Sequence, residues 1–251
     1  MNGMLVRSEK FDYHNALGNP IHQLERYNDW QVDELIYIDI SREDTYDLGR
    51  YDTKVKIKDN ILDIISEVSK KCFIPLTFGG GIRTIQDIRE RLKRGADKIT
   101  INTIAIENPN FITEAARIFG SQCIVVSIDV KINDKGEYEV YKEFGQNPTG
   151  MNPVEWAKKV ESLGAGEIFL NSIDRDGTGE GYDLDLIRMV SESVNIPVIA
   201  CGGVGKFQDF VDGIKIGKAS AVAAGNIFNF TEISAIKAKK LMKENGIEVR
   251  I

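Results

Sequence analysis

The chain has 251 residues, enough for one α/β barrel domain or two smaller ones, with 42% hydrophobic residues to fill a core and 28% charged residues to wet its surface. A net charge of −6 excludes a general nucleic-acid binder, whose mark is a basic face, though local basic pockets for phosphate remain open. Cys72, Cys123 and Cys201 lie far apart in apolar contexts without zinc spacing, so the sequence predicts buried free thiols, a cytoplasmic protein, and no metal or cofactor; nothing reads as a signal peptide or an apolar bilayer span.

In chain order, residues 4–7 predict a short strand and residues 8–18 a polar loop. Asn19-Pro20 reads as a helix start, asparagine at N-cap and proline at N1, a device repeated at Asn108-Pro109 and Asn152-Pro153. Strand-like runs follow at 34–40, 75–80, 98–102, 123–130, 167–174, 197–202 and 221–227. Amphipathic helices are predicted between them, near 59–71, 84–94, 109–119, 153–163, 184–193, 206–216 and 231–244. The strands are apolar enough to be covered on both faces, which demands a parallel sheet.

Residues 74–103 form one unit: a buried strand, the glycines Gly79, Gly80 and Gly81, a helix capped by Thr84 with Asp87 as capping-box partner, and the next strand from Lys98. The unit recurs from Ile196 at an offset of 196 − 74 = 122, which sets Gly80 and Gly81 on Gly202 and Gly203, Asp87 on Asp209 and Gly95 on Gly217. A second pair, 34–42 against 167–175, repeats at an offset of 133. The expected architecture is therefore a (β/α)8 TIM barrel built from two similar half-barrels, a single domain over residues 1–251. The strand ending near Asp129 leads into a hairpin at Gly136 whose first-half counterpart starts at Gly3. The twin of Asp129 then falls before residue 1, so the first barrel strand is expected to be missing from this chain.

Barrel enzymes work at the carboxyl ends of their strands, where this sequence collects Asp39, Gly80, Gly81, Asn102, Thr103, Asp129, Asp174, Asp176, Gly177, Gly202, Gly203, Ala224 and Gly225. Asp129 closes an apolar strand and could serve as general acid or base; a solvated strand-end carboxylate or a loop cap is the plainer alternative. The duplicated glycine loops, each followed by a helix start, suit two phosphate grips, one per half, for a substrate with a phosphate at each end. Glu34, Lys98 and Glu167 open even-numbered strands, where a charge rim and a polar gate on a central passage both account for them. His14 and His22 are away from strand ends and predict surface positions.

The segments Asp33-Glu-Leu, Gly79-Gly-Gly-Ile, Gly95-Ala-Asp-Lys-Ile-Thr-Ile-Asn-Thr, Glu107-Asn-Pro, Phe119-Gly-Ser-Gln, Gly164-Ala-Gly-Glu and Ser172-Ile-Asp-Arg-Asp-Gly-Thr resemble the cyclase subunit of imidazole glycerol phosphate synthase. The similarity runs from about Gly3 to Ile251. The resemblance implies a barrel that takes ammonia from a glutaminase partner docked at its bottom, forming a heterodimer. The ammonia attacks a bis-phosphorylated ribulosyl carboxamide nucleotide at the top, giving imidazole glycerol phosphate and aminoimidazole carboxamide ribotide. It also implies Asp129 as one of two catalytic aspartates, and phosphate positions at Gly81, Asn102, Thr103, Asp176, Gly177, Gly203, Ala224 and Gly225. Glu34, Lys98 and Glu167 map to an ammonia gate, and Asp97 to the glutaminase-facing surface.

The chain also departs from that pattern. The other catalytic aspartate and the gate arginine belong to the absent strand. Arg7 and Ser8 stand where Lys-Gly is usual, Asn19 replaces an aspartate, Cys201 and Gly225 replace serines, and residues 41–58 are unusually charged. Such drift resembles paralogues from surface-polysaccharide clusters, which hand ammonia to a sugar amidotransferase, and that is the alternative expectation.

Overall fold

Capping chemistry decides where the helices begin. Asn19 Oδ1 accepts the Ile21 amide at 2.8 Å with Pro20 at the first helical position, and Asn152 accepts the Val154 amide at 2.9 Å with Pro153 in the same place. Asn60 Oδ1 receives the Asp63 amide at 2.9 Å. The structure, a computed structural model, describes residues 1–42, 58 and 60–250. Apart from Ser41, Arg42 and Lys58, the charged stretch at 41–58 lies outside the described residues.

The chain opens with a two-stranded sheet, β1 (Leu5–Glu9) and β2 (Tyr13–Gly18). Residues 8–18 were expected as a loop; here much of that segment is strand. The reason is that β2 is mostly exposed and polar, so its local pairing carries no apolar alternation to announce it. The chain then divides into two compact units, Met1–Arg7 with Asn15–Thr100, and Ser8–His14 with Ile101–Ile251. The hairpin tip thus groups with the second unit.

The first unit continues with α1 (Pro20–Asp29), β3 (Leu35–Ile38), α2 (Ile61–Lys71), β4 (Leu76–Gly79), α3 (Ile85–Lys93) and β5 (Lys98–Ile101), whose last residue begins the second unit. Strands β3, β4 and β5 are parallel, with Leu35 opposite Leu76 and Thr77 opposite Lys98. Leu24, Ile64, Ile65, Val68, Leu76, Phe78 and Ala96 form its core. Val68 sits one helical turn on from Ile64 and Ile65 along the buried stripe of α2, and Tyr37 stacks on Phe78 with ring centroids 4.8 Å apart.

The second unit contains α4 (Thr103–Glu107), α5 (Asn110–Phe119), β6 (Ile124–Ile132), β7 (Tyr138–Lys142), β8 (Asn147–Pro148), α6 (Pro153–Ser162) and β9 (Glu167–Ser172). It goes on through α7 (Leu184–Ser191), β10 (Val198–Cys201), α8 (Phe207–Lys215), β11 (Ala221–Val222), α9 (Asn226–Phe230) and α10 (Ser234–Glu244). Its parallel sheet runs β6-β9-β10-β11, with Asp129 opposite Asn171 and Cys201 also opposite Asn171. Strand β7 folds back antiparallel on β6 and pairs with β8, which is the hairpin anticipated after Gly136. The first seven residues of β6 are buried, as a strand covered on both faces must be. Parallel strands each followed by a helix make this an α/β fold of the (β/α)8 TIM-barrel type.

Two expectations fail locally. The strand foreseen at 221–227 ends at Val222, because the Ala223 amide closes the pairing on Ala200 and a helical turn starts after Gly225. Asn108 does not cap α5, which begins at Asn110; it closes α4 instead, its amide donating to the Ile104 carbonyl. No helix among the described residues is long and apolar enough to cross a membrane.

Candidate active site

A buried polar cluster lies at the strand carboxyl ends of the second unit. Period-two alternation along β6 puts Ser127 and Asp129 on one face, and parallel register brings Asn171 of β9 beside them. All three are buried, at 6%, 7% and 5% exposure. Asn171 Nδ2 donates to Asp129 Oδ1 at 2.7 Å and to Ser127 Oγ at 3.1 Å, and Ser127 Oγ donates to the same Asp129 Oδ1 at 2.9 Å. Both donors grip one carboxylate oxygen. The other, Oδ2, takes neither of these bonds.

Burial pushes the Asp129 carboxyl up to about 6, against the pull of the Asn171 and Ser127 donors. Asp176, in the loop after β9, is pushed up to about 6 too, mainly by burial; the Phe11 amide opposes the rise, and the charges of Asp129 and Glu9 add to it. Burial, with Asp176 next, pushes the Cys201 thiol at the end of β10 up to about 12. Asp129, Asp176 and Cys201 therefore share one neighbourhood. A carboxyl titrating near 6 can give or accept a proton close to neutral pH, whereas a thiol at about 12 stays protonated and unreactive.

The remaining second-unit candidates are framework as much as site. Asn102 Nδ2 donates to the carbonyls of Ser127 and Tyr141, both at 3.2 Å, and Thr103 Oγ1 accepts the Glu143 amide at 3.2 Å, so both fasten the β6–β7 hairpin. Asp174 Oδ2 receives the Ile132 amide at 2.8 Å. The Asp176 amide donates to Ser172, its carbonyl accepts from Lys10, and its Oδ2 accepts from Phe11. Gly177, at φ +74°, lies against the same hairpin tip, where a Cβ would strike the Ser8 carbonyl. A Cβ on Gly202 or Gly203 would meet the Ser172 or Gly181 carbonyl. Ala224 and Gly225 follow β11, where the Tyr182 hydroxyl donates to the Ala223 carbonyl at 2.8 Å and Gly225 has open space. Glu167 opens β9 opposite Val125. His14 is half-buried, its Nδ1 2.9 Å from Ser8 Oγ, and His22 is exposed.

In the first unit, β4 ends at Gly79 and the chain turns through Gly80 at φ +94°, where a Cβ would overlap the Asp39 carbonyl oxygen. Lys98 Nζ lies 2.9 Å from Glu34 Oε2, so these two charges are a pair at the strand starts. Exposed Asp97 accepts the Leu76 amide through Oδ2 at 2.8 Å, a strand-edge bond.

The repeat seen in the sequence recurs as matched bonds. Asp87 Oδ2 takes the amides of Arg83 and Thr84 at 3.0 and 2.8 Å; Asp209 Oδ2, 122 positions on, takes those of Gly205 and Lys206 at 2.9 Å each. Gln86 donates to Glu90, as Gln208 does to Asp212. Sequence reading passed over Asn171 and Ser127. Their signal was a polar residue facing inward in an otherwise apolar strand, legible only once the register set them beside Asp129.

The fold, with this buried polar cluster at its strand ends, defines the class as a TIM-barrel-type protein. The family model described as "Histidine biosynthesis protein" matches residues 1–234, and the chain belongs to that family. It is a histidine-biosynthesis-type barrel protein.

Proposed function

We propose that this chain is the cyclase subunit of imidazole glycerol phosphate synthase. Ammonia from a glutaminase partner attacks a bis-phosphorylated ribulosyl carboxamide nucleotide, and the ring closes with release of aminoimidazole carboxamide ribotide. The supporting observation is Asp129: buried, aimed by two donors on Oδ1, and titrating near 6. Its Oδ2 is the atom that moves the proton during ring closure. The loops at Gly80–Gly81 and Gly202–Gly203 hold the two phosphates through backbone amides, with Gly177, Ala224 and Gly225 beside the second. Glu34, Lys98 and Glu167 line the ammonia entry, and Asp97 faces the glutaminase.

With free ammonia as nitrogen source, Asp129→Asn is expected to lower turnover by about 10²–10⁴-fold with an unchanged circular dichroism spectrum. Unchanged turnover would refute the assignment. Cys201 and Gly225, which stand in place of serines, support a second reading, an ammonia-passing partner of a sugar amidotransferase. Rescue of a histidine auxotroph lacking the cyclase excludes that reading; failure of rescue together with binding to such an amidotransferase establishes it.

A further inference from the structure

The two glycine loops are built alike, yet what lies behind them differs. In the first unit the Arg91 side chain, 5% exposed, runs back under the loop from α3. Its Nη2 donates to the Gly80 carbonyl at 2.8 Å and its Nη1 to the Asp87 carbonyl at 3.1 Å. A Cβ built on Gly81 would sit 3.6 Å from the same Nη2, so the guanidinium lies directly behind that residue. No peptide bond among the described residues is cis, and in a trans peptide the N–H points opposite to the C=O. Holding the Gly80 carbonyl toward Arg91 therefore turns the Gly81 N–H the other way. Among the described residues that N–H has no acceptor.

The position 122 residues on from Arg91 is Gly213. Here the space is filled by the Tyr182 ring, whose carbons would lie 3.1 Å from a Cβ on Gly213. The capping charges of the two helix starts match. Each loop has its capping aspartate, Asp87 or Asp209, and each helix start has one exposed cation, Arg83 or Lys206. Arg175 approaches Gly203, but its side chain is only half-buried and its guanidinium is paired with Glu180 at 3.3 Å. A buried guanidinium lies behind the first loop and not the second, and a buried charge is screened far less than an exposed one.

We propose that Arg91 makes the Gly80–Gly81 loop the tighter of the two phosphate grips, by fixing the Gly81 N–H outward and placing a buried positive charge behind it. The inference rests on reading both loops as phosphate sites, and its ligand class is a phosphate monoester dianion. Arg91 is a positioning residue that does not itself touch the ligand. Its planar fork serves two carbonyls at once, which a lysine cannot do.

The test uses the full chain, 15N-labelled, titrated with inorganic phosphate while the Gly81 and Gly203 amide resonances are followed separately. In the wild type Gly81 is expected to saturate at about tenfold lower phosphate than Gly203. In Arg91→Met that advantage disappears while the Gly203 titration, which also reports that the second unit is folded, stays put. Arg91→Lys keeps the charge without the fork and is expected to fall between the two. Equal affinities in the wild type, or a Gly81 affinity untouched in both variants, would overturn the proposal. Silence of both amides in the wild type would overturn it together with the phosphate reading of the loops, whereas two responsive amides without a difference leave that reading standing.

Discussion

Asn171 contributes to the candidate site through its bond to Asp129. Its 2.7 Å bond to Asp129 Oδ1 favours the ionised carboxylate, and so opposes the rise that burial imposes. Replacing it by leucine removes the donor and leaves the burial. The carboxyl is then expected to titrate above about 6, and the acid limb of the pH–rate profile to move to higher pH by roughly one unit. Asn171→Ser, which keeps a donor, should restore part of the shift. A profile that falls uniformly without moving would make Asn171 a packing residue only. Asp129 could be singled out in the sequence as a carboxylate closing an apolar strand of a barrel. Asn171 was not, because its meaning depends on a neighbour 42 positions away.

Among the elements, the matched helix starts offer an internal comparison. Asp87 and Asp209 each satisfy two amides that the helix cannot pair for itself. Asp209 is buried at 5% exposure whereas Asp87 is half-buried, so the bonds that alanine removes are the better shielded from water at Asp209. Urea unfolding should give a loss of about 1 kcal/mol for Asp87→Ala and about 2 kcal/mol for Asp209→Ala. The reverse order would contradict this account. Most helix starts, the buried strands and the duplication were readable, since caps, glycines and apolar periods are local signals, though Asn108 closes α4 instead of opening α5. What sequence misassigned was β2 and the end of β11, exposed edge pieces whose structure depends on pairing rather than on their own pattern.

For the molecule as a whole, the site is a liability to stability. Asp129 and Asp176 titrate near 6 in the folded chain against an ordinary 3.8. Between those values the folded state holds more protons than the unfolded one, so stability falls as pH rises through the window. The penalty is absent below about pH 4 and complete above about pH 6. Asp129→Asn removes its share, and is expected to be more stable than wild type by about 1–3 kcal/mol at pH 8, with the two melting curves converging at pH 4. Melting temperatures that stay a constant distance apart across this range would show that the carboxyl is not the cause. The same substitution thus separates activity from stability, losing one and gaining the other.

The hairpin tip carries a consequence for how the protein is made. Lys10 and Phe11 donate to Asp176, and the Ser8 carbonyl covers Gly177, so the beginning of the chain is secured by residues far along it. Phe11 and Asp176 are 165 positions apart. At about 5–20 residues per second of translation, the tip waits roughly 8–33 s outside the ribosome before its partner is synthesised. During that interval residues 8–14 should be open to protease or to a chaperone on stalled nascent chains, and become protected only when stalling is moved beyond the emergence of Gly177.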